Sequence, residues 1–321
     1  MSGSDEPARA EAPQAPMFGK IAILGVGLIG SSLALACRRH GLAGRLAGYA
    51  RSAGSREVVE RLRLTDSVHG DPAEAVADAD LVVLCVPVGA NAAVAEAIAP
   101  ALKPGAIVSD VGSVKQAVIR DVGPALPEGV HFVPGHPIAG TEHSGPGAGF
   151  ADLFEERYCV LTPPPGTDAA AVERVAELWR RCGARVETME AAHHDKVLAM
   201  TSHLPHLISY TIVGTAFDLA ESERGEVVKF AAGGFRDFTR IAGSDPVMWR
   251  DIFLNNREAV LEILQRFGED LSRLQRAIRW GEGEALEDLF QRTREIRRGV
   301  IQLGQAGTFD AREAKKDEGE D

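Results

Sequence analysis

His136 stands in the run Gly135-His136-Pro137-Ile138-Ala139-Gly140-Thr141-Glu142, directly after a strand-like stretch. An imidazole held by a following proline at a strand's carboxyl end suits general acid–base work, although a histidine satisfied by loop backbone is the plainer alternative. Ser113, in Ser109-Asp110-Val111-Gly112-Ser113-Val114-Lys115, is expected on a neighbouring loop. From there its hydroxyl would reach both a substrate hydroxyl and the imidazole. Ser202-His203-Leu204-Pro205-His206 puts two histidines near one helix face, with His193 and His194 one or two turns earlier. Histidine pairs bind zinc, but no carboxylate or thiolate completes a set, so no metal is expected. One imidazole is read instead as a substrate ligand, and the others as holding a helix kink. Farther on, Gly233-Gly234-Phe235-Arg236-Asp237-Phe238-Thr239-Arg240 carries two guanidinium forks, the group that grips carboxylates bidentately. Arg240 is the better ligand candidate, and Arg236 is read as a structural ion pair with Asp237.

These side chains need a scaffold that brings distant segments together. From Gly19 to about Met189, short β-branched runs (Ile21–Leu24, Leu81–Val86, Ala106–Ser109, His131–Pro134, Tyr158–Leu161) alternate with Ala-rich helical stretches. Runs that are apolar on both faces and separated by helices predict a parallel sheet covered on both sides. After Met189 only helices are expected. The first run leads into Gly25-Val26-Gly27-Leu28-Ile29-Gly30 and then a helical stretch, which is GxGxxG in the strand–turn–helix setting it requires. Gly25 permits the tight turn, Gly27 lets the backbone approach a pyrophosphate, and Gly30 lets the helix pack close to the strand. Leu28 and Ile29 lie between them, where free N–H groups face the phosphates. An acidic residue on the ribose 2′-OH is expected about 20 residues later. The chain offers Arg51 and Ser52 there instead, which suit a 2′-phosphate, so NAD+ and NADP+ both stay open. Val86 and Pro87, at the end of the fourth strand, and the Ser113 loop after the fifth should border the nicotinamide.

The 321 residues allow two domains. We expect a Rossmann-type NAD(P)-binding domain over 17–189 and a helical substrate and dimerisation domain over 190–304, flanked by disordered tails at 1–16 and 305–321. Asp245-Pro246 is a helix start, and Val260, Leu264, Phe267, Leu271, Leu274 and Ile278 form a stripe resembling a coiled-coil seam. Packing inside the domain and a helix-exchanging dimer interface explain that stripe equally well. Lys and Arg number 35 against 46 Asp and Glu, a formal charge of −11, which argues against nucleic-acid binding. No apolar run approaches the roughly 20 residues needed to span a bilayer, and the N-terminus lacks the apolar core of a signal peptide. Four cysteines without a CxxC pair suit a reducing cytoplasm.

In this order, GVGLIGSS, SDVGSVK, GHPIAGTEHSG, SHLPH and GGFRDFTRIAGSDPVMW resemble the prephenate/arogenate (cyclohexadienyl) dehydrogenase family of tyrosine biosynthesis, from about Gly19 to about Ile301. The resemblance implies an NAD(P)-dependent oxidative decarboxylation in a homodimer joined through the helical domain. It makes His136 the catalytic histidine and Ser113 the serine bonded to it and to the ring hydroxyl. Arg240 becomes the ligand of a substrate carboxylate, and His206 a neighbour of the pyruvyl side chain. Glu142, Asp237 and Trp249 fall at the mouth of the site, Asp237 reaching the partner chain's pocket. Thr141, Ser202 and His203 fall in the same pocket. Activity is then expected to fall below a His136 pKa near 6.5. No chorismate mutase segment is expected before Gly19 and no regulatory domain after Ile301, so any tyrosine feedback would act at the active site.

Overall fold

The computed structural model describes residues 15–218, 229 and 233–302; the expected tails lie outside these except for residues 15 and 16. Six parallel strands form the main sheet: β1 (Phe18–Leu24), β2 (Ala43–Tyr49), β3 (Ser67–His69), β4 (Leu81–Leu84), β5 (Ile107–Asp110) and β6 (His131–Val133). Their spatial order is β3-β2-β1-β4-β5-β6. The order reverses between β1 and β4, and in such a sheet a crevice opens there, beyond the carboxyl ends. Leu24 is in register with Leu84, so both strands deliver their following loops to that crevice.

Burial on two faces explains the apolar runs. Ile21, Ile23, Leu81, Val83 and Ile107 face one layer, packed with Leu33, Val175 and Trp179. Ala22, Leu24, Val82, Leu84 and Val108 face the other, packed with Val94, Ile98, Val118 and Ile252. Each large aliphatic side chain so buried contributes about 1.5–3 kcal/mol. The helices between strands are α1 (Leu28–Arg39), α2 (Ala53–Arg61), α3 (Pro72–Val76), α4 (Asn91–Ile98), α5 (Lys115–Val122) and α6 (Ala169–Arg181).

A second, three-stranded sheet changes the setting of His136. Residues Gly135–Pro137 are a short strand, β7, antiparallel to β8 (Tyr158–Leu161), which in turn runs parallel to β9 (Arg185–Thr188). The loop expected around His136 is therefore a strand, with His136 opposite Val160. Among the described residues strands end at β9, as the texture predicts.

The helical segment begins with α7 (Ala191–Leu198), a π-helical turn (Ala199–His203) and α8 (Leu204–Asp218). The break expected at Pro205 lies just ahead of it. Proline lacks an N–H and its ring crowds the carbonyl four residues back, so the turn preceding it widens. Then follow α9 (Gly233–Thr239), α10 (Pro246–Asn255), α11 (Arg257–Trp280) and α12 (Gly283–Gln302). Asp245 caps α10, its carboxylate accepting from Val247 N at 2.8 Å and Met248 N at 2.9 Å. One compact unit runs to Leu261 and a second begins at Glu262, so packing continues through the change of texture at Met189. Of the seam residues Val260 is buried, while Leu271 is 48% and Ile278 68% exposed. Among the described residues no helix is long and apolar enough to cross a membrane.

Candidate active site

At the crevice, Gly25 has a φ of +100°, and a Cβ there would lie 2.6 Å from the Cys85 carbonyl oxygen. No other residue type fits both constraints. A Cβ on Gly30 would lie 2.3 Å from the Gly25 carbonyl oxygen, so α1 packs against the turn only because that side chain is missing. Gly27 has nothing within 4 Å of its Cβ position, which leaves that face of the turn open to a ligand. Gly27 caps α1 without a side chain, and no acidic residue stands in the first turn. Leu28 and Ile29 open the helix half-buried; after β4, Val86 is half-buried, 3.0 Å from a Cβ position at Gly25, and Pro87 is exposed. Unpaired N–H groups and a positive dipole end thus meet an open backbone, which fits a dinucleotide pyrophosphate. At the end of β2, Arg51 and Ser52 are exposed, and Ser52 Oγ caps α2 by accepting from Ser55 N at 3.1 Å.

The imidazoles form a buried cluster. His136 Nδ1 lies 2.9 Å from His194 Nε2, and His194 Nδ1 lies 2.8 Å from Asp195 Oδ1. The Asp195 carboxylate also accepts from Lys115 N at 2.7 Å and Gln116 N at 2.9 Å, the first two N–H groups of α5. Burial would raise its pKa, but the hydrogen bonds from His194, Lys115 and Gln116 outweigh burial and hold it below the usual carboxylate range. Asn256 Nδ2 donates to the Asp195 carbonyl at 2.8 Å and to His203 Nδ1 at 3.1 Å. His203 in turn meets Trp249 edge-on at 6.1 Å between centroids, and Trp249 stacks on His206 at 3.6 Å. His206 Nδ1 donates to the Ser202 carbonyl at 2.9 Å.

Burial sets the protonation of these rings. The His136 pKa is pushed well below the ordinary histidine value by burial, with the charges of His194, Lys115 and His203 acting the same way. Burial lowers His203 to about 4. His136 is thus neutral at pH 7, and its titration lies below the 6.5 expected for a free side chain.

Beneath His136 sits a fully buried ion pair, Lys115 Nζ to Asp110 Oδ2 at 2.5 Å. Lys115 Nζ also donates to the Gly135 carbonyl at 2.5 Å, and Asp110 Oδ1 accepts from Gly135 N at 3.1 Å. Both backbone groups of the residue before His136 are held by one pair. A buried pair adds little net stability, but losing one partner costs about 3–5 kcal/mol, so its value here is positional.

Arg240, in the turn after α9, donates to Glu142 at 2.9 Å. That contact brings the guanidinium to the segment following His136, and its charge also lowers the His206 pKa after burial, the larger cause. Thr141 and Glu142 are exposed, Ser202 is half-buried and Asp237 is exposed on α9. Trp249 is buried, packed against His206. Ser113 is half-buried in the loop before α5, and His136 Nδ1 turns to His194 instead of to it. The ion pair expected between Arg236 and Asp237 is not formed; Asp237 Oδ2 instead lies 3.9 Å from a Cβ position at Gly233, one turn back. Just beyond, a Cβ on Gly149 would lie 2.1 Å from Ser31 Oγ, and Phe150 N donates to Ser32 Oγ at 3.1 Å, seating the segment on α1.

His194, Asp195, Asn256, Asp110 and Lys115 escape a reading by motif. His194 drew attention only as one of a possible metal set, and among the described residues no group of three such side chains could hold an ion. The signal was present in the order His193-His194-Asp195, an imidazole followed by a carboxylate.

Comparison with known proteins identifies the family. The family model described as prephenate dehydrogenase, nucleotide-binding domain, matches residues 33–188, and that described as prephenate dehydrogenase, dimerization domain, matches 190–292. The chain is 44% identical to a cyclohexadienyl dehydrogenase of Zymomonas mobilis, over 88% of this chain and 96% of that one. It is 35% identical to a prephenate dehydrogenase of Bacillus subtilis, over 92% and 79%. A crystal structure of Aquifex aeolicus prephenate dehydrogenase with hydroxyphenyl propionate and NAD+ superposes with a TM-score of 0.80 at 34% identity, over 92% of this chain and all of that one. With the two models together spanning most of the chain, and the 44% identity extending over most of both proteins, this chain belongs to the prephenate dehydrogenase family.

Proposed function

We propose that this chain oxidatively decarboxylates prephenate, arogenate or both, yielding 4-hydroxyphenylpyruvate or tyrosine in tyrosine biosynthesis. A nicotinamide dinucleotide, when bound at the glycine turn, supplies the hydride acceptor. His136 Nε2 takes the proton of the ring hydroxyl as the same carbon gives up its hydride. The ring carboxylate then leaves as carbon dioxide, and the gain of an aromatic ring makes the step irreversible. Ser113 is assigned to the ring hydroxyl, and Arg240 to a substrate carboxylate, exchanging Glu142 for it. His206, Ser202, His203, Thr141 and Trp249 complete the pocket, and Asp237 is assigned to the partner chain's site.

The observation that carries this reading is the neutral, buried His136, with only one ring nitrogen engaged by the described residues. A neutral imidazole with one nitrogen unclaimed suits the acceptor of a hydroxyl proton. The exposed apolar side chains Leu271, Ile278, Phe290 and Ile296 of the helical segment support a homodimer. For the cofactor, Arg51 and Ser52 favour a 2′-phosphate, while the Aquifex aeolicus relative was crystallised with NAD+. Purified protein should be assayed with prephenate and with arogenate, each with NAD+ and NADP+, following absorbance of the reduced nicotinamide. Turnover of at least one pair is expected; none with any pair overturns the reading.

A further inference from the structure

We propose that His194 and Asp195 act together as a positioning device that holds His136 in a single tautomer, protonated at Nδ1 and bare at Nε2. The proposal rests on the assignment of His136 as proton acceptor. An ionised carboxylate only accepts hydrogen bonds, and Asp195 already accepts from Lys115 N and Gln116 N. Its contact with His194 Nδ1 therefore requires the proton on that nitrogen. A neutral His194 then has only a lone pair at Nε2. The 2.9 Å contact between His194 Nε2 and His136 Nδ1 must contain one proton, and His136 is the ring left to supply it. His136 Nε2 is consequently the nitrogen with the free lone pair, the one able to take a proton. His194 is fully buried, and burial outweighs the contact with Asp195 in favouring its neutral form over the cation that the reverse arrangement, donation to His136, would need.

Asp195 has a second hold on the site. Its carboxylate closes the start of α5, the helix that follows the Ser113 loop, and its carbonyl is fixed by Asn256. One side chain thus sets both the tautomer of His136 and the anchor of the neighbouring loop. A histidine locked in the opposite tautomer would present an N–H to the substrate hydroxyl and would have no lone pair there to receive its proton.

The test uses the full chain with NAD+ or NADP+ bound and 15N-labelled histidine, with the His136 resonances assigned by their loss in His136→Asn. In the unmutated protein at neutral pH, His136 is expected to show a protonated Nδ1 and an unprotonated Nε2. In His194→Leu the His136 signals should become those of mixed tautomers, with kcat down roughly 100-fold and KM little changed. In His194→Gln, whose amide can donate to Asp195 and accept from His136, the single tautomer and most of the turnover should return. A proton on His136 Nε2 in the unmutated protein overturns the proposal, as does His194→Leu with unchanged spectrum and kcat. If His194→Leu does not fold, the unmutated spectrum and His194→Gln still decide. Full activity in His136→Asn would sink the assignment of the base itself, whereas an inactive His136→Asn with the wrong tautomer at His136 in the unmutated protein would sink only the positioning device.

Discussion

The turn after β1 and the cluster around His136 are built from different materials. The turn is backbone: an added Cβ at Gly25 or Gly30 would collide with a carbonyl oxygen, and no side chain caps the helix that follows. The cluster is side chain: His136, His194, Asp195, Asn256 and His203 come from β7, α7, the π-helical turn and the residue between α10 and α11. A backbone device is local and tolerates no added atom. A side-chain network is long-range, and its failure should show in chemistry before it shows in binding.

Four substitutions or conditions would break or sharpen that contrast. The largest effect is expected for His136→Asn, with turnover down about 1,000-fold and dinucleotide affinity unchanged in a fluorescence titration of the reduced cofactor. Next comes Gly30→Ala, whose methyl group would collide with the Gly25 carbonyl. Dinucleotide affinity should fall about tenfold to a hundredfold, with stability lower by about 1–3 kcal/mol in a denaturant melt. Should Gly30→Ala bind normally and His136→Asn lose the cofactor, the division of labour would be reversed. Arg240→Gln, which removes the carboxylate fork, should raise KM about tenfold with kcat nearly unchanged, read from initial rates.

The smallest effect concerns pH. The glycine turn carries no titrating group, whereas His203, His194 and His136 all have folded pKa values below the ordinary one because burial disfavours their charge. A histidine whose folded pKa is depressed favours the fold while neutral, so its contribution is complete above about 6.5 and drains as pH falls. For His203 this amounts to roughly 3 kcal/mol at most, lost between pH 6.5 and its folded value of about 4. The melting temperature should therefore drop between pH 7 and pH 5, and a flat profile would contradict the buried neutral cluster. The acid limb of kcat/KM should likewise lie below 6.5, because His136 titrates there in the fold.

The same contrast explains what could be read from the chain beforehand. Strand runs such as Leu81–Leu84 and the GxGxxG turn are legible because the physics that creates them is local: two buried faces, or a φ only glycine tolerates. The coiled-coil-like stripe is legible as a stripe, but the exposure of two of its six residues, Leu271 and Ile278, appears only in the fold. His136 was found through its neighbours Gly135 and Pro137. Its ring partner lies 58 positions away, and Lys115 finds Asp195 across 80, separations at which no spacing rule operates. The expected Arg236–Asp237 pair failed for the converse reason, adjacency in the chain having been mistaken for contact in space.

The narrow gap between Gly149 and Ser31 bears on how this protein tolerates change. Gly149 has an ordinary φ of −73°, so its torsion would accept any amino acid. What forbids a larger residue is a collision with the opening turn of the neighbouring helix. The segment that follows Thr141 and Glu142 is thus keyed to the opening turn of α1. A single added methyl group there would drive this segment and the first turn of α1 apart.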